Sequence, residues 1–294
     1  MRRKNGEKEG GPRPLLISPK PPKPPKTLYH YCGVAAFHGV ITSKRLWLSN
    51  ATFTNDYTEH KWLTSMALER IEEKRRSTKN HTALDRCIDL LSREKTPYIG
   101  CFAAGRDMLS QWRAYSEDGA GFAIGFSGKY WSEVVAAGNN VRFSLQKTSY
   151  DVKEHKAAVK SVVDSAVSRS NRSVFAIAIH ARMLTIHGAT CKNAGFEEER
   201  EWRLVFNPQY PKLKELYPYK NYNDVEPSPL QFRPSNGMLV PYYAVPFEAD
   251  AITEVYLGPK NHARDDHGFL KLFLEQNDYN VRRIKIINSA ATYR

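Results

Sequence analysis

The sequence predicts an α+β fold, with a mixed or mostly antiparallel sheet core and helical insertions. Three observations predict it. Short aromatic and β-branched runs recur along most of the chain. Helical stretches fall between some of them as insertions, without strict β-α-β alternation. The composition, 41% hydrophobic and 26% charged, is that of a globular protein.

Residues 1–26 stand apart. They carry seven of the 17 prolines, and they place +6 of the net charge of +13 in one segment. Such a stretch cannot build a core and reads as a disordered basic tail. No aromatic residue interleaves its charges, which favours a solvated linker over a nucleic-acid arm. Residues 27–294 then read as a single domain. Thr27 to Cys32 is a short β-prone run. Gly33 to Lys44 is helical, because Val34, Phe37, Val40 and Ile41 recur at helical spacing. Leu46 to Ser49 is a second strand, and Thr52 to Glu59 a polar loop. Residues 59–75 and 80–94 are helical, with charge on one face.

Tyr98 to Phe102 is a strand, Ala103 to Met108 a loop, and Ser110 to Tyr115 a short helical turn. Glu117 to Gly121 is a tight turn into the strand Phe122 to Phe126. Residues 141–150 form a strand. Residues 153–190 form two helices broken near Ser170 and Asn171. Trp202 to Phe206 is a strand, and a Pro/Tyr-rich loop follows from Pro208 to Pro234. Met238 to Val245, Ile252 to Leu257 and Val281 to Ile287 are strands, with a helix over 262–276.

Several function classes are excluded. No apolar run approaches the ~20 residues of a membrane helix, and no signal peptide is visible. A cytoplasmic protein without membrane partners is expected. Cys32, Cys87, Cys101 and Cys191 form no CxxC pair and no zinc-ligand spacing, so four buried thiols and no metal are expected. There is no P-loop, no GxGxxG after a strand, no HExxH and no GxSxG.

Three segments remain as candidates for chemistry. In the first, His30 stands between Tyr29 and Tyr31, where an imidazole can hold a ribose hydroxyl or move a proton; the alternative is a satisfied core or edge histidine. The second runs from Cys101 to Phe126. Its Ser110, Trp112, Arg113 and Tyr115 offer an aromatic wall with a cation for a planar ring. The alternative is an aromatic core plug, with Arg113 paired to Glu117 or Asp118. In the third, Glu201 and Arg203 lie on an apolar strand. A carboxylate there can stabilise positive charge developing at an anomeric carbon. A smaller group, Asn55, Asp56 and Glu59, serves equally as an Asx-turn that caps the next helix.

Taken together these motifs resemble the bacterial domain-of-unknown-function family 2971. The residues that carry the likeness are Leu28 to Tyr31, Leu46 to Ser49, Phe53 to Glu59, Cys101 to Phe126, Glu199 to Val205 and Tyr293-Arg294. Ile252 to Pro259 also fits. Tyr57 stands where that family usually has proline. The order of His strand, Ser–Tyr segment and Glu before a strand is also similar to the ADP-ribosyltransferase fold. That resemblance implies NAD as substrate. It implies His30 on the NAD ribose, Tyr115 with Ser110 at the nicotinamide, and Glu201 polarising the cleaved bond. His30, Tyr115 and Glu201 would then converge on one cleft. The acceptor would be a macromolecule, a nucleic acid or a protein. The alternative is a non-catalytic nucleic-acid or partner-binding module in a stress or phage-defence setting. The sequence does not fix an oligomeric state.

Overall fold

The computed structural model describes residues 22–54, 59–77, 81–137, 142–166, 174–209, 225–235 and 237–292. The tail expected over 1–26 lies outside the described residues except for 22–26. So do Asn55, Asp56, the helix break near Ser170, residues 210–224 and Tyr293-Arg294.

Among the described residues ten strands pair into one mixed sheet. They are β1 (Thr27–Cys32), β2 (Arg45–Asn50), β3 (Tyr98–Ala103), β4 (Phe122–Ser127) and β5 (Phe143–Lys147). The remainder are β6 (Glu201–Phe206), β7 (Gln231–Ser235), β8 (Met238–Pro246), β9 (Ile252–Leu257) and β10 (Lys285–Asn288). The order is β10-β9-β4-β1-β3-β2-β8-β7, with β6 on β3 and β5 on β6. β10 runs parallel to β9, and the other pairings are antiparallel.

The sheet forks at β3. One edge of β3 is taken along its whole length by β6, from Tyr98↔Phe206 to Ala103↔Glu201. Its other edge is shared. β2 takes the Tyr98–Ile99 end, and β1 meets it only at Tyr29↔Ala103. Gly100 lies inside the fork, where an added Cβ would come within 3.2 Å of Leu46 and Leu48.

Side-chain alternation along these strands divides the protein into two faces. On one face Leu28, Leu48, Phe102, Phe126, Leu204 and Phe206 build the main core. It is covered by α1 (Val34–Ser43), α5 (Gly128–Ala137) and α8 (Gly268–Gln276), which bring Phe37, Trp131 and Leu274. On the other face Tyr29, Tyr31, Ala123 and Tyr256 pack under Trp112 of α4 (Leu109–Tyr115). The insertions α2 (Glu59–Ser77), α3 (His81–Arg93), α6 (Val152–Ala166) and α7 (Val174–Gly188) form an apolar cluster of their own. Ala51, Ile99, Ala189 and Val205 join that layer to the sheet. Each fully buried Leu, Val or Phe contributes about 1.5–3 kcal/mol.

Two elements depart from expectation. α5 follows β4 directly, and its aromatic and β-branched residues Tyr130, Trp131, Val134 and Val135 hide a helix behind strand-like composition. β7 lies inside the expected Pro/Tyr-rich loop; as an edge strand it tolerates Pro234. Of the four thiols expected to be buried, Cys101 is only half-buried. Among the described residues no helix is long and apolar enough to cross a membrane.

The crossing of β1 and β4 is tight at Gly121. An added Cβ would strike the Cys32 carbonyl oxygen and come within 3.0 Å of Gly33 Cα. Both obstacles are backbone and cannot rotate away. Gly121→Ala is therefore expected to cost about 1–3 kcal/mol. Urea unfolding should show a lower midpoint at constant slope; an unchanged midpoint would contradict this crossing.

Candidate functional site

Along β6 the side chains of Trp202, Leu204 and Phe206 enter the main core, so Glu201 and Arg203 face the opposite way. Their partners across β3 are Ala103 and Cys101. Glu201 Oε2 accepts from Arg203 Nη2 at 2.7 Å and lies 3.6 Å from Lys192 Nζ. Lys192 Nζ donates to Glu199 Oε2 at 2.5 Å, and Glu199 Oε1 accepts from the Tyr115 hydroxyl at 3.0 Å. Arg203 Nη1 donates to the Ala189 carbonyl at 2.7 Å. Four charged side chains thus form one chain, and none is more than 8% exposed.

Local structure explains the alignment. Asn193 accepts from the Gly195 N–H and opens a 3-10 turn over Ala194–Glu199. Arg200 closes it in the left-handed region, at φ 43°. That single left-handed residue brings Glu199 and Glu201 back onto the same lysine. Lys192 is fixed through its backbone, which donates to the Ser149 carbonyl at 3.0 Å. Its Nζ lies 4.7 Å from the ring centre of Phe196, which is 37% exposed.

The electrostatics are balanced, two carboxylates against two cations. Burial alone would push the Glu201 carboxyl up. The charges of Arg203 and Lys192, with a hydrogen bond from Arg203, outweigh it and hold its pKa below the ordinary value. Tyr115 is raised, by burial first, with Lys192 opposing. Tyr150, whose hydroxyl accepts from the Glu201 N–H at 3.0 Å, is pushed up to about 12, chiefly by burial. Both phenols therefore stay protonated at neutral pH.

The structure brings Tyr115, Glu201 and Arg203 together and leaves His30 apart. His30 Nδ1 bonds to the Cys101 carbonyl at 2.9 Å, and its ring packs edge-on against Phe102. Burial lowers its pKa, with the charge of Arg233 adding to the effect. Trp112 is fully buried beneath α4, 4.8 Å from Tyr31 ring to ring. It fills the core and presents no open wall. Ser110 is half-buried and Arg113 exposed on the same helix. Glu117 accepts from the Val34 N–H, and Asp118 pairs with Lys260 at 2.7 Å. Glu59 opens α2.

Three residues escaped the sequence reading. Glu199 is hidden in the acidic run Glu197 to Glu201, and Lys192 sits in an unremarkable stretch after α7. The only available signal was the Glu-Arg-Glu spacing at a turn before an apolar strand. The third is Asp107, in the left-handed region at φ 56°. It accepts from Trp112 Nε1 at 2.8 Å, from Ser289 Oγ and from the Ala290 N–H at 2.7 Å. It thereby pins α4 to the residues after β10.

Residues 111–204 match the family model described as "Protein of unknown function (DUF2971)". The match covers about a third of the chain. The DUF2971-like region holds Tyr115, Lys192, Glu199, Glu201 and Arg203, the whole of the buried chain, while His30 and Arg233 lie outside it. No protein of curated function and no solved structure matches the sequence. A cavity of about 440 Å³ opens elsewhere, at the far end of β6, between Phe206, Arg142 and Tyr243. It holds none of the residues of the buried chain.

Lys192→Met leaves Glu199 with the Tyr115 hydroxyl but no cation, and Glu201 with Arg203 as its one cationic partner among the described residues. A loss of about 3–5 kcal/mol is expected, measured by urea unfolding, and Lys192→Met with Glu199→Leu should recover part of it. The lowered Glu201 pKa fixes a sign as well. A depressed carboxylate contributes stability that is full above its ordinary value of 4.5 and fades as pH falls through the folded-state pKa. The stability difference between wild type and Glu201→Gln should therefore be constant near neutrality and shrink below that value. A difference that grows on acidification would contradict the ion pair.

Proposed function

We propose that this protein is an ADP-ribosyltransferase-like enzyme that cleaves NAD and passes ADP-ribose to a macromolecular acceptor. The observation that carries this reading is the chain Tyr115–Glu199–Lys192–Glu201–Arg203, buried at the start of β6. Cleaving the glycosidic bond sends its electron pair to nicotinamide, which leaves neutral. The anomeric carbon is left with oxocarbenium character, which a fixed carboxylate stabilises. The acceptor then attacks that carbon and loses its proton.

Each residue takes a part set by its surroundings. Glu201 is held ionised by two cations and is the deeper carboxylate. Glu199, bonded to the half-buried Tyr115, is nearer the surface and would face the sugar. Tyr115 keeps its proton and orients Glu199. Exposed Arg113 and half-buried Ser110 would meet the dinucleotide. His30 would touch the second ribose only if NAD extends from this chain towards the β1–β3 junction.

A second reading, a non-catalytic module for a polyanion, is favoured by the net charge of +13. One assay separates the two. Purified protein is incubated with NAD alone, with RNA, with DNA and with a protein extract, and nicotinamide is quantified. The transferase reading expects release with at least one acceptor, lowered at least about 100-fold by Glu199→Gln or Glu201→Gln. Release absent under every condition, alongside nucleic-acid binding that weakens steeply with salt, would replace it by the binding module.

A further inference from the structure

One stripe of lysines on α6 is left unpaired by the fold. Lys153, Lys156 and Lys160 are exposed, and among the described residues no carboxylate pairs with their ammonium groups. By contrast Lys44, Lys74, Lys129, Lys260 and Lys285 each pair with one. At about 100° and 1.5 Å per residue, the three fall within an arc of about 60° and span roughly 10 Å of the helix. The acidic groups nearby are committed elsewhere. Glu154 Oε2 accepts from Ser149 Oγ at 2.7 Å, and Asp151 Oδ1 accepts from the Lys153 N–H at 2.7 Å. Asp164 holds Arg70 and Lys74 of α2.

The stripe is anchored from behind. His155, Val159, Val162, Val163 and Ala166 are buried on another face of the same helix. Trp62 Nε1 donates to His155 Nδ1 at 3.1 Å, and His155 Nε2 donates to the Ser149 carbonyl at 3.0 Å. An indole only donates and a carbonyl only accepts, so both ring nitrogens have fixed roles. α6 starts two residues after Tyr150, whose hydroxyl accepts from the Glu201 N–H. The stripe therefore begins close to the buried ion chain.

We propose that Lys153, Lys156 and Lys160 bind the phosphate backbone of a nucleic-acid strand. Lysine is a compact point charge that meets phosphate without a fixed geometry. One strand of a duplex carries a charge about every 3.4 Å of its axis, so each lysine can take its own phosphate. No large apolar side chain is exposed on α6. A protein partner needs such anchors, and a base reader needs forked or aromatic groups. Backbone contact needs only charge. The stripe would dock the acceptor under the transferase reading and form the binding face under the second. It rests on neither, because its test reads binding without NAD.

Fluorescence anisotropy tests it, with a labelled RNA strand of about 20 nucleotides and with polyglutamate of equal charge. Wild type should bind the RNA more tightly than about 100 µM at about 50 mM salt. Lys153→Gln, Lys156→Gln and Lys160→Gln together should weaken binding at least about 10-fold and lower the slope of log affinity against log salt by about 2. Lys153→Arg, Lys156→Arg and Lys160→Arg together should bind as wild type does. A control with Lys129→Gln, Lys260→Gln and Lys271→Gln removes the same charge elsewhere and should weaken binding far less. The proposal is overturned if wild type binds RNA no tighter than that limit, or if the two Gln variants lose binding equally. It is equally overturned if polyglutamate binds as tightly as RNA and is lost with the stripe, which would make α6 a dock for an acidic peptide.

Discussion

Arg203 holds the architecture of the site in place. It stands on β6, the strand that branches from β3, and is 1% exposed, with one nitrogen on Glu201 and another on the Ala189 carbonyl just beyond α7. The same side chain thus sets the charge of Glu201 and ties the helical insertion to the sheet. Removing it would strand a buried carboxylate and a buried carbonyl at once. Placing so many charges in a dry interior costs several kcal/mol per ion, which only close partners repay. Lys192 and Glu199 complete that compensation and carry it outward to Tyr115.

The fork at β3 organises everything else. Because β6 occupies one edge of β3 entirely, β1 and β2 must divide the other. The imidazole of His30 takes up a carbonyl that a continuous ladder would have paired. On one side of β3 lies the neutral chain of four buried charges. Away from it, on the edge strand β7, lies Arg233, a half-buried cation with no carboxylate partner among the described residues. These are opposite electrostatic situations a few strands apart, and they call for different partners.

Most strands were legible because aromatic and β-branched residues in short runs leave few other conformations. Thr27 to Cys32 and Trp202 to Phe206 are examples. α5 was not legible, since Tyr130, Trp131, Val134 and Val135 fit a strand as well as a helix. β7 was hidden by Pro234 and by the prolines before it. At the site, Glu201 and Arg203 stood out as charges within an apolar strand, and Tyr115 as a polar aromatic in a short turn. Glu199 did not, because one left-handed residue at Arg200 separates a solvated acidic run from a buried partner. Arg233 carried no signal at all: its setting depends on how β7, β8 and β2 pair, and pairing across the chain is not written in local pattern. His30 was conspicuous in the sequence, yet its environment follows from the same fork.

The likeness to a family of unknown function covers the buried chain and leaves its chemistry open. The central claim is that Glu199, Lys192, Glu201 and Arg203 behave as one ionised unit. A double-mutant cycle between its two ends, Glu199→Gln and Arg203→Met, tests this most directly by unfolding free energy. Among the described residues these two side chains are linked through Lys192 and Glu201, so the network offers a path for their coupling. The account predicts a coupling of about 0.5–3 kcal/mol. Strict additivity of the two losses would contradict it.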